Sequence, residues 1–426
     1  IAVDATMGNG KDTQFLCELA PEDARILFRT LPKQMAADVF SNLESDVQQV
    51  ILESATDSEL SQIIEELYVD DAVDMLEELP ANVVKRVLKN ATSETRTLIN
   101  QYLQYPENSA GSIMTAEFID LRASMKVKDA IEHIRHTGDD SEAIYTCYVI
   151  DAHRVLEGVV TVKELLLAKD DTLVSDLMER DVISVGTLED QEEVTRVMSK
   201  YDLLSLPVVD NEKRLVGIVT VDDAMDVMEQ EATEDFEAMS GIHPSEKTYL
   251  KTSVFEMSKN RILWLLVLMV SGMITGGILS NFEAAISALP LLVTFIPMLT
   301  DTGGNAGSQS STMIIRGLAT GDLTIRDLPR VLWKEMRVAL MVGSVLSVVN
   351  FLRIGIQYGD WMIALVVSLT MMCTVIMAKV IGGILPLLAN ALHIDPAIMA
   401  APLITTIVDA CSLMIFFGIS VALLPV

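Results

Sequence analysis

The stretch IMAAPLITTIVDACSLMIFFGISVALLPV, residues 398–426, contains a single charged side chain, that of Asp409. The stretch is longer than the roughly 20 apolar residues that cross a bilayer. A carboxylate at bilayer depth costs at least about 2.5–3.5 kcal/mol, so it normally faces a water-filled path and has a partner. Because the stretch contains no Lys or Arg, we expect that partner to be a cation in the path. The alternative is a salt bridge to Lys379 in the preceding apolar segment.

The net charge of −29 is concentrated in the first part of the chain. Residues 251–426 contain ten Lys or Arg and nine Asp or Glu, so residues 1–250 carry all of the excess negative charge. An acidic surface repels nucleic acid and attracts cations, so we expect no nucleic-acid partner. The simpler interpretation, that the acidic surface only confers solubility, stays open at this point.

Several chemistries are disfavoured by the residues present. The four cysteines are widely spaced, which disfavours both disulfides and a zinc site. No P-loop is present, so ATP-driven pumping is not expected. The stretch VDATMGNGKDT (3–13) resembles the glycine-rich loop of class I methyltransferases, but no alternating strand–helix pattern follows it. We therefore expect no enzyme, and residues 1–17 form a segment of uncertain role.

Residues 18–108 show short amphipathic helical patterns, with Leu-Pro pairs at 31–32 and 79–80 that each precede a new helix. This pattern predicts an all-α superhelical N-domain of stacked short helices. Residues 229–250 predict one acidic connector helix, and residues 251–426 predict an all-α membrane domain.

Residues 110–228, between the N-domain and the connector helix, contain an internal repeat. YVIDAHRVLEGVVTVKELL (148–166) aligns with PVVDNEKRLVGIVTVDDAM (207–225), and matched positions lie 59 residues apart. The pattern resembles a tandem pair of cystathionine-β-synthase (CBS) domains, here 109–170 and 171–228. The resemblance implies an α/β fold, a regulatory role, and binding of an adenine nucleotide such as ATP or of metal ions.

Five apolar segments follow in the second part of the chain, at 261–281, 285–315, 335–353, 361–388 and 398–424. Basic residues cluster before the first segment and between the second and third. The positive-inside rule then places the acidic part in the cytoplasm and the C-terminus outside. We therefore expect a five-helix transmembrane domain in a multi-pass protein of the bacterial cytoplasmic membrane, with the lipid bilayer as one partner.

The second apolar segment includes PMLTDTGGNAGSQSSTMIIRGLATGDL (297–323), which is too rich in small and polar residues to face lipid alone. Small residues let helices approach closely, and polar residues need partners or water. Asp301, Asn305 and Gln309 are four residues apart and so share one helix face, which we expect to line water. A role for the glycines in packing alone is an open alternative.

These motifs together resemble the MgtE family of magnesium channels. The resemblance is carried by 297–323, by PLITTIVDACSLMIFF (402–417), by HIDPAIMAAPL (393–403) and by VDDAMDVMEQEATED (221–235). It covers nearly the whole chain after about residue 18. The chemistry of the residues agrees, because Mg²⁺ is a hard ion that favours carboxylate and carbonyl oxygen and keeps bound water.

The resemblance implies two groups of site residues. The pore filter comprises Asp409 with Thr405, Thr406 and Ala401, the last of which replaces an Asn of some relatives. Regulatory Mg²⁺ ligands are expected on the acidic domains, on the connector and at the start of the last membrane segment: Asp70, Asp74, Asp190, Glu192, Asp202, Asp223, Glu231, Glu234, Asp235 and Asp395.

The expected function is uptake of Mg²⁺ down its electrochemical gradient through a pore that cytosolic Mg²⁺ closes. One filter carboxylate per chain is a sparse site for a divalent ion, so we expect a homodimer with the pore on its axis. Two alternatives remain open. One is a broader divalent cation channel that also passes Mn²⁺, Co²⁺ or Ca²⁺, and the other is a membrane Mg²⁺ sensor that does not conduct.

Overall fold

The computed structural model describes residues 45–138, 141–243, 252–399 and 401–424, together with Tyr249 and isolated positions before residue 45. The expectations for residues 1–17 and for the first helices of the N-domain lie outside the described residues. The chain forms two compact units, Ile1–Glu229 and Gln230–Val426.

The described part of the N-domain consists of ten-residue helices. They are α1 (Ser45–Ser54), α2 (Asp57–Glu66), α3 (Val69–Glu78), α4 (Ala81–Asn90) and α5 (Ser93–Tyr102). Helix α2 starts with a capping box, in which the Thr56 hydroxyl accepts from the Glu59 amide and the Glu59 carboxylate accepts from the Thr56 amide. Helix α1 packs on α3 and α4, α2 on α4, and α3 on α5, which buries one side of each. The predicted helical N-domain is confirmed.

Two arginines tie these helices together. The Arg86 guanidinium on α4 donates to backbone carbonyl oxygens of residues 52–55, at the end of α1. The Arg96 guanidinium on α5 donates in the same way to carbonyl oxygens of residues 88–91, at the end of α4. The last carbonyls of a helix have no partner within that helix, so each guanidinium both satisfies them and joins two helices.

The CBS region folds as two similar halves. The first contains β1 (Phe118–Leu121), α6 (Val127–Thr137), β2 (Ala143–Ile150), β3 (Leu156–Thr161), α7 (Val162–Leu167) and α8 (Val174–Leu177). The second contains β4 (Val185–Gly186), α9 (Gln191–Tyr201), β5 (Ser205–Val209), β6 (Leu215–Thr220) and the start of α10 (Val221–Met239). Each half forms a three-stranded sheet with one parallel and one antiparallel pair, in the orders β1-β2-β3 and β4-β5-β6. The predicted tandem pair is confirmed.

The repeated glycine of the two halves has a steric reason. A Cβ atom on Gly158 in β3 would lie 2.8 Å from the carbonyl oxygen of Glu179. A Cβ atom on Gly217 in β6 would lie 2.6 Å from the carbonyl oxygen of Thr115. At both positions a neighbouring backbone segment packs against the strand so closely that a side chain does not fit. The glycines that recur 59 residues apart in the sequence therefore meet the same packing requirement in each half.

The connector helix begins earlier than the border at residue 229 that the sequence suggested. Helix α10 starts at Val221, directly after β6, and the Thr220 hydroxyl at this junction donates to the Asp223 carboxylate. The helix ends at Met239, shortly before Gly241, which has a left-handed φ of 69°. The last helix of the second CBS domain and the connector are therefore one continuous helix, α10.

The second unit is helical. Its helices are α11 (Val254–Asn281), α12 (Glu283–Ala288), α13 (Ile296–Ala319), α14 (Leu328–Tyr358), α15 (Trp361–Ala391) and α16 (Ala401–Leu423). Among the described residues, α11, α14, α15 and α16 are long and apolar enough to cross a membrane, whereas α13 is long enough but too polar. The expected second segment, 285–315, is not one helix. It is divided into α12, a 3₁₀ turn at Pro290–Phe295 and α13.

Helix α13 has two chemically different faces. Gly303, Gly304 and Gly307 are buried, and a Cβ atom on Gly304 would lie 2.9 Å from Cγ2 of Thr405 on α16. The glycines therefore let α13 pack directly on α16 and α15. The predicted polar face, Asp301, Asn305 and Gln309, is exposed. Packing by the glycines and an exposed polar face are thus both present, on opposite sides of one helix.

Candidate metal centres

Three carboxylates meet in the first unit. Asp70, Glu142 and Asp223 each place one carboxylate oxygen within 4.8 Å of the other two. Asp70 is buried, and the other two are half-buried. They form the one such group of three that the described residues contain. We call it the carboxylate cluster.

Three different elements supply the cluster. Asp70 lies in the first turn of α3, and Asp223 lies in the first turn of α10, where it accepts from the Thr220 hydroxyl. Glu142 immediately precedes β2, and its backbone amide donates to the Glu117 carbonyl oxygen at 3.0 Å. The N-domain and both CBS domains therefore each contribute one acid. The three carboxylates lie close together only when these three domains are packed in this arrangement.

The cluster is electrostatically unfavourable without a cation. Burial, followed by the charges of Glu142 and Asp71, raises the pKa of Asp70 well above its usual range. Burial, followed by the charge of Asp223, raises the pKa of Glu142 to about 7. Burial also raises the pKa of Asp223 to about 6, against a hydrogen bond from Thr220 that lowers it. The shifts mean that ionising all three carboxylates at this place is unfavourable, first because they are buried and then because neighbouring negative charges repel them.

The cluster fits a hard divalent cation. Oδ1 of Asp70 and Oε2 of Glu142 are buried and have no hydrogen-bond partner within the described residues. Buried polar atoms normally have hydrogen-bond partners. These two carboxylate oxygens have none, so they are available as ligands for a metal ion. Mg²⁺ prefers carboxylate oxygens and retains several of its waters, which suits a site with three ligands from the protein.

The other acids predicted on the soluble domains lie elsewhere. Asp190 caps α9, since its Oδ1 accepts from the Glu192 amide at 2.9 Å. Glu192 and Asp202 are exposed, and Asp202 ends α9 in a left-handed conformation with φ of 53°. Asp74 lies one turn beyond Asp70 on α3 and is exposed. The structure brings none of these four into the carboxylate cluster.

A second acidic group lies in the other unit, on the connector. Burial, followed by the charges of Glu231 and Asp395, raises the pKa of Glu234. Burial, followed by the charges of Asp395 and Glu231, raises the pKa of Asp235. Asp395 precedes α16, and its Oδ1 accepts from the Ala397 amide at 2.8 Å. The predicted connector acids and Asp395 are therefore close enough to repel one another.

The predicted pore residues lie at the junction of α13 and α16. Asp409 is half-buried on α16, and the Asp301 carboxylate of α13 acts on it electrostatically. Nδ2 of Asn305 donates to Oδ1 of Asp301 at 3.1 Å, which orients that carboxylate. The Thr405 and Thr406 hydroxyls both donate to the Pro402 carbonyl oxygen, at 3.0 and 2.9 Å. Gln309 is exposed farther along α13, and Ala401 is the first residue of α16.

The salt bridge between Lys379 and Asp409, the alternative that the sequence left open, is not formed. Lys379 is buried on α15, and its Nζ lies 3.8 Å from Oε2 of Glu335 on α14. Nζ also donates to the Ser310 hydroxyl at 3.1 Å, and that hydroxyl donates to Oε2 of Glu335 at 2.6 Å. Within the described residues, no salt bridge joins Asp409 to a basic group.

Comparison with known proteins assigns the family. Residues 296–419 match the family model of a divalent cation transporter, MgtE, and residues 13–108 match that of the MgtE intracellular N domain. Residues 110–171 and 174–230 match the CBS domain. The magnesium transporter MgtE of Thermus thermophilus is 38% identical over 413 residues, which cover 96% of this chain and 91% of that protein. This chain belongs to the MgtE family.

Two further comparisons agree with membership of the MgtE family. The magnesium transporter MgtE of Bacillus subtilis is 32% identical over 417 residues, 95% of this chain and 92% of that protein. A crystal structure of the soluble part of a magnesium transporter aligns with a TM-score of 0.50 at 35% identity, covering 52% of this chain and 88% of that one. MgtE proteins are membrane transporters and not enzymes, in keeping with the apolar helices of the second unit.

Glu142 is the residue of this MgtE chain that the sequence analysis missed. It stands in the acidic run GDDSE (138–142), just before a strand, where exposed acids are common. The run lies far along the chain from both Asp70 and Asp223. An acidic run at the edge of a CBS domain was the only signal for it, and that signal does not indicate one acid among the three in the run.

Proposed function

We propose that this chain is a Mg²⁺ channel that mediates Mg²⁺ uptake down the electrochemical gradient and is closed by Mg²⁺ on the cytosolic side. The observation that carries the conduction part is that Asp409 lies among apolar residues with another carboxylate, Asp301, acting on it and no basic partner within the described residues. Such an acid needs a counter-ion, and a hydrated divalent ion in transit provides one.

The carboxylate cluster supports the gating part. At low Mg²⁺ its three acids repel one another, which disfavours the arrangement that brings the N-domain and the CBS domains together. With Mg²⁺ bound, the same carboxylates hold these domains in one place, so the metal selects that arrangement by its differential affinity. The acids at Glu231, Glu234, Asp235 and Asp395 support a second regulatory Mg²⁺ site on the connector.

The remaining features of the proposal rest on the family resemblance and on the charge pattern of the sequence. We propose a homodimer in the bacterial cytoplasmic membrane, with the N-domain and CBS pair in the cytoplasm and the C-terminus outside. Asp74, Asp190, Glu192 and Asp202 remain proposed regulatory ligands. We also propose that the CBS pair binds ATP, which titration of the purified chain with ATP would test.

Conduction is tested in liposomes that contain the purified full chain and a Mg²⁺ indicator. Wild type should take up Mg²⁺ when a negative inside potential is imposed, because each charge gains about 2.3 kcal/mol per 100 mV. Asp409→Asn should abolish uptake, since it removes the only charge of α16. Uptake of Mn²⁺, Co²⁺ or Ca²⁺ at comparable rates would instead favour the broader divalent channel.

Gating is tested by varying Mg²⁺ on the side that carries the soluble domains. Glu142→Gln should raise the Mg²⁺ concentration for half-closure by at least about tenfold, because it removes one carboxylate ligand. Glu94→Gln is the matched control, since Glu94 is an exposed acid at the start of α5. Current that is absent in wild type at low Mg²⁺, with Mg²⁺ binding retained, would favour the non-conducting sensor.

A further inference from the structure

Tyr102, the last residue of α5, has a buried hydroxyl group that plays no part in the packing or hydrogen bonding described above. Its side chain is 3% exposed, and its hydroxyl has no hydrogen-bond partner within the described residues. A buried hydroxyl normally donates or accepts at least one hydrogen bond. Phenylalanine would fill the same space without this cost, so the hydroxyl calls for a partner that is not a protein group.

The surroundings of the hydroxyl identify the place of that partner. The carboxylates of Glu117 and Asp70 are the two charges that act most strongly on the Tyr102 hydroxyl, and together with burial they raise its pKa above the usual range. Asp70 belongs to the carboxylate cluster, and its own Oδ1 is the second buried atom here without a partner. Helix α5, which ends at Tyr102, packs on α3, which carries Asp70, and an ordered water between the two unpartnered polar atoms would give each of them a hydrogen bond.

We propose that the Tyr102 hydroxyl is a positioning group that holds a metal-bound water of the carboxylate cluster and thereby sets the affinity of the cluster for Mg²⁺. The proposal rests on the regulatory role proposed above for the cluster. Mg²⁺ keeps several waters when it binds to carboxylates, and each of these waters is a hydrogen-bond donor that needs an acceptor. A phenol oxygen can accept a hydrogen bond from such a water.

The proposal assigns Tyr102 a role that packing alone does not give it. The Tyr102 ring lies edge-on to the Tyr105 ring with centroids 6.0 Å apart, and this contact involves only the rings. Tyr102→Phe keeps the ring contact and removes only the hydroxyl. Tyr105→Phe is the matched control, because it removes a hydroxyl from the neighbouring ring without touching the unpartnered atom.

The experiment follows amide hydrogen exchange of α3 by mass spectrometry in the detergent-solubilised full chain, first in EDTA and then across a Mg²⁺ titration. In EDTA, the amides of α3 should be protected from exchange in Tyr102→Phe at least as well as in wild type, because the substitution removes a buried hydroxyl that has no hydrogen-bond partner. In Mg²⁺, the half-protection concentration should rise about tenfold, as for loss of an outer-shell partner. Tyr105→Phe should match wild type in both conditions.

An unchanged half-protection concentration in Tyr102→Phe would overturn the inference, as would an equal shift in Tyr105→Phe. A loss of protection in EDTA would also overturn it, because the hydroxyl would then stabilise the fold without metal. Asp70→Asn separates this failure from failure of the proposed function. If Asp70→Asn keeps wild-type protection by Mg²⁺, the cluster itself does not bind the metal, and the regulatory site lies elsewhere.

Discussion

Lys379 is the buried cation among the described residues of the second unit, and its environment explains why it does not neutralise Asp409. The ammonium group is shared between the Ser310 hydroxyl and the Glu335 carboxylate, so three helices meet at one charge pair. A buried pair of this kind adds little net stability, but leaving one member unpaired is costly. The pair therefore fixes the position of α13 relative to α14 and α15.

Removing one member of this pair should destabilise the membrane unit. We expect Glu335→Gln to lower the free energy of unfolding by about 3–5 kcal/mol, since the Lys379 charge stays buried without its partner. The double variant Glu335→Gln with Lys379→Met should recover most of this loss. The measurement is thermal unfolding of the detergent-solubilised chain, and a double variant no more stable than Glu335→Gln would contradict the assignment of the pair.

At the residue scale, the sequence indicated Asp409 as a candidate site residue but did not indicate Glu142. Asp409 stands out because its neighbours along the chain are apolar, which is a local signal. Glu142 joins Asp70 and Asp223 only when the chain has folded, and no spacing in the sequence connects the three. For the same reason, the sequence suggested Asp409 as the partner of Lys379 and gave no indication of Glu335.

At the scale of elements, the close approach of α13 and α15 depends on paired glycines. A Cβ atom on Gly382 of α15 would collide with the Gly307 carbonyl oxygen of α13 and would lie 3.2 Å from Cβ of Ser310. Backbone cannot give way as the end of a side chain can. The separation of these two helices is therefore set by the absence of side chains.

Gly382→Ala should force α13 and α15 apart and abolish or strongly reduce Mg²⁺ uptake, with a loss of about 1–3 kcal/mol in stability from overpacking. Gly276→Ala on α11 is the control, because a Cβ atom there meets nothing within 4 Å. Uptake and thermal unfolding of both variants check the prediction. Equal behaviour of the two variants would mean that the glycine contact does not determine the helix separation.

The carboxylate cluster gives helices α3 and α10 a pH dependence of defined sign. The pKa of Glu142 rises from 4.5 to about 7, and that of Asp223 from 3.8 to about 6. The folded state therefore binds more protons than the unfolded chain in this range, so stability without metal falls as the pH rises from about 4 to about 7. Mg²⁺ binds the deprotonated carboxylates and should remove this loss at the upper end.

We expect α3 in EDTA to be better protected from hydrogen exchange at pH 5.5 than at pH 7.5, after correction for the intrinsic rate. Saturating Mg²⁺ at pH 7.5 should restore the protection, and Glu142→Gln should reduce the dependence on pH, because it removes one of the shifted groups. Protection without metal that is constant or increases with pH would contradict the assigned shifts.

Element boundaries show where sequence reasoning works and where it does not. The two halves of the CBS pair were predictable, because the same strand and turn residues recur at a fixed distance. The division of the expected 285–315 segment was not, since its apolar residues continue across the 3₁₀ turn at Pro290–Phe295. The early start of α10 was hidden because its first turn also completes the second CBS domain.

At the scale of the whole molecule, charge is the property that the sequence predicted best. The membrane part is nearly neutral and the soluble part is strongly acidic, and the structure divides the chain at nearly the same point, after Glu229. Helix α11 has no buried side chain, so its apolar surface is available to lipid or to a second copy.

The proposed topology predicts opposite results for reporters at the two ends of the chain. An alkaline phosphatase fused after Val426 should be active, because that enzyme folds only outside the cytoplasm, and the same enzyme fused before Ile1 should be inactive. The positive-inside rule is the reason for this expectation. The same result at both ends would indicate an even number of crossings; inactivity at both ends is the result expected if α13 does not span the membrane.

The two arginine clamps of the N-domain have a mechanical consequence. Arg86 and Arg96 grip backbone carbonyls at the ends of α1 and α4, so adjacent helices are joined by charge-assisted bonds as well as by apolar contact. A joint of this kind resists bending. Helices α1 and α5, which both pack on α3, are thus both joined to α4, so we expect a displacement of Asp70 on α3 to move these helices together rather than to bend the N-domain between them.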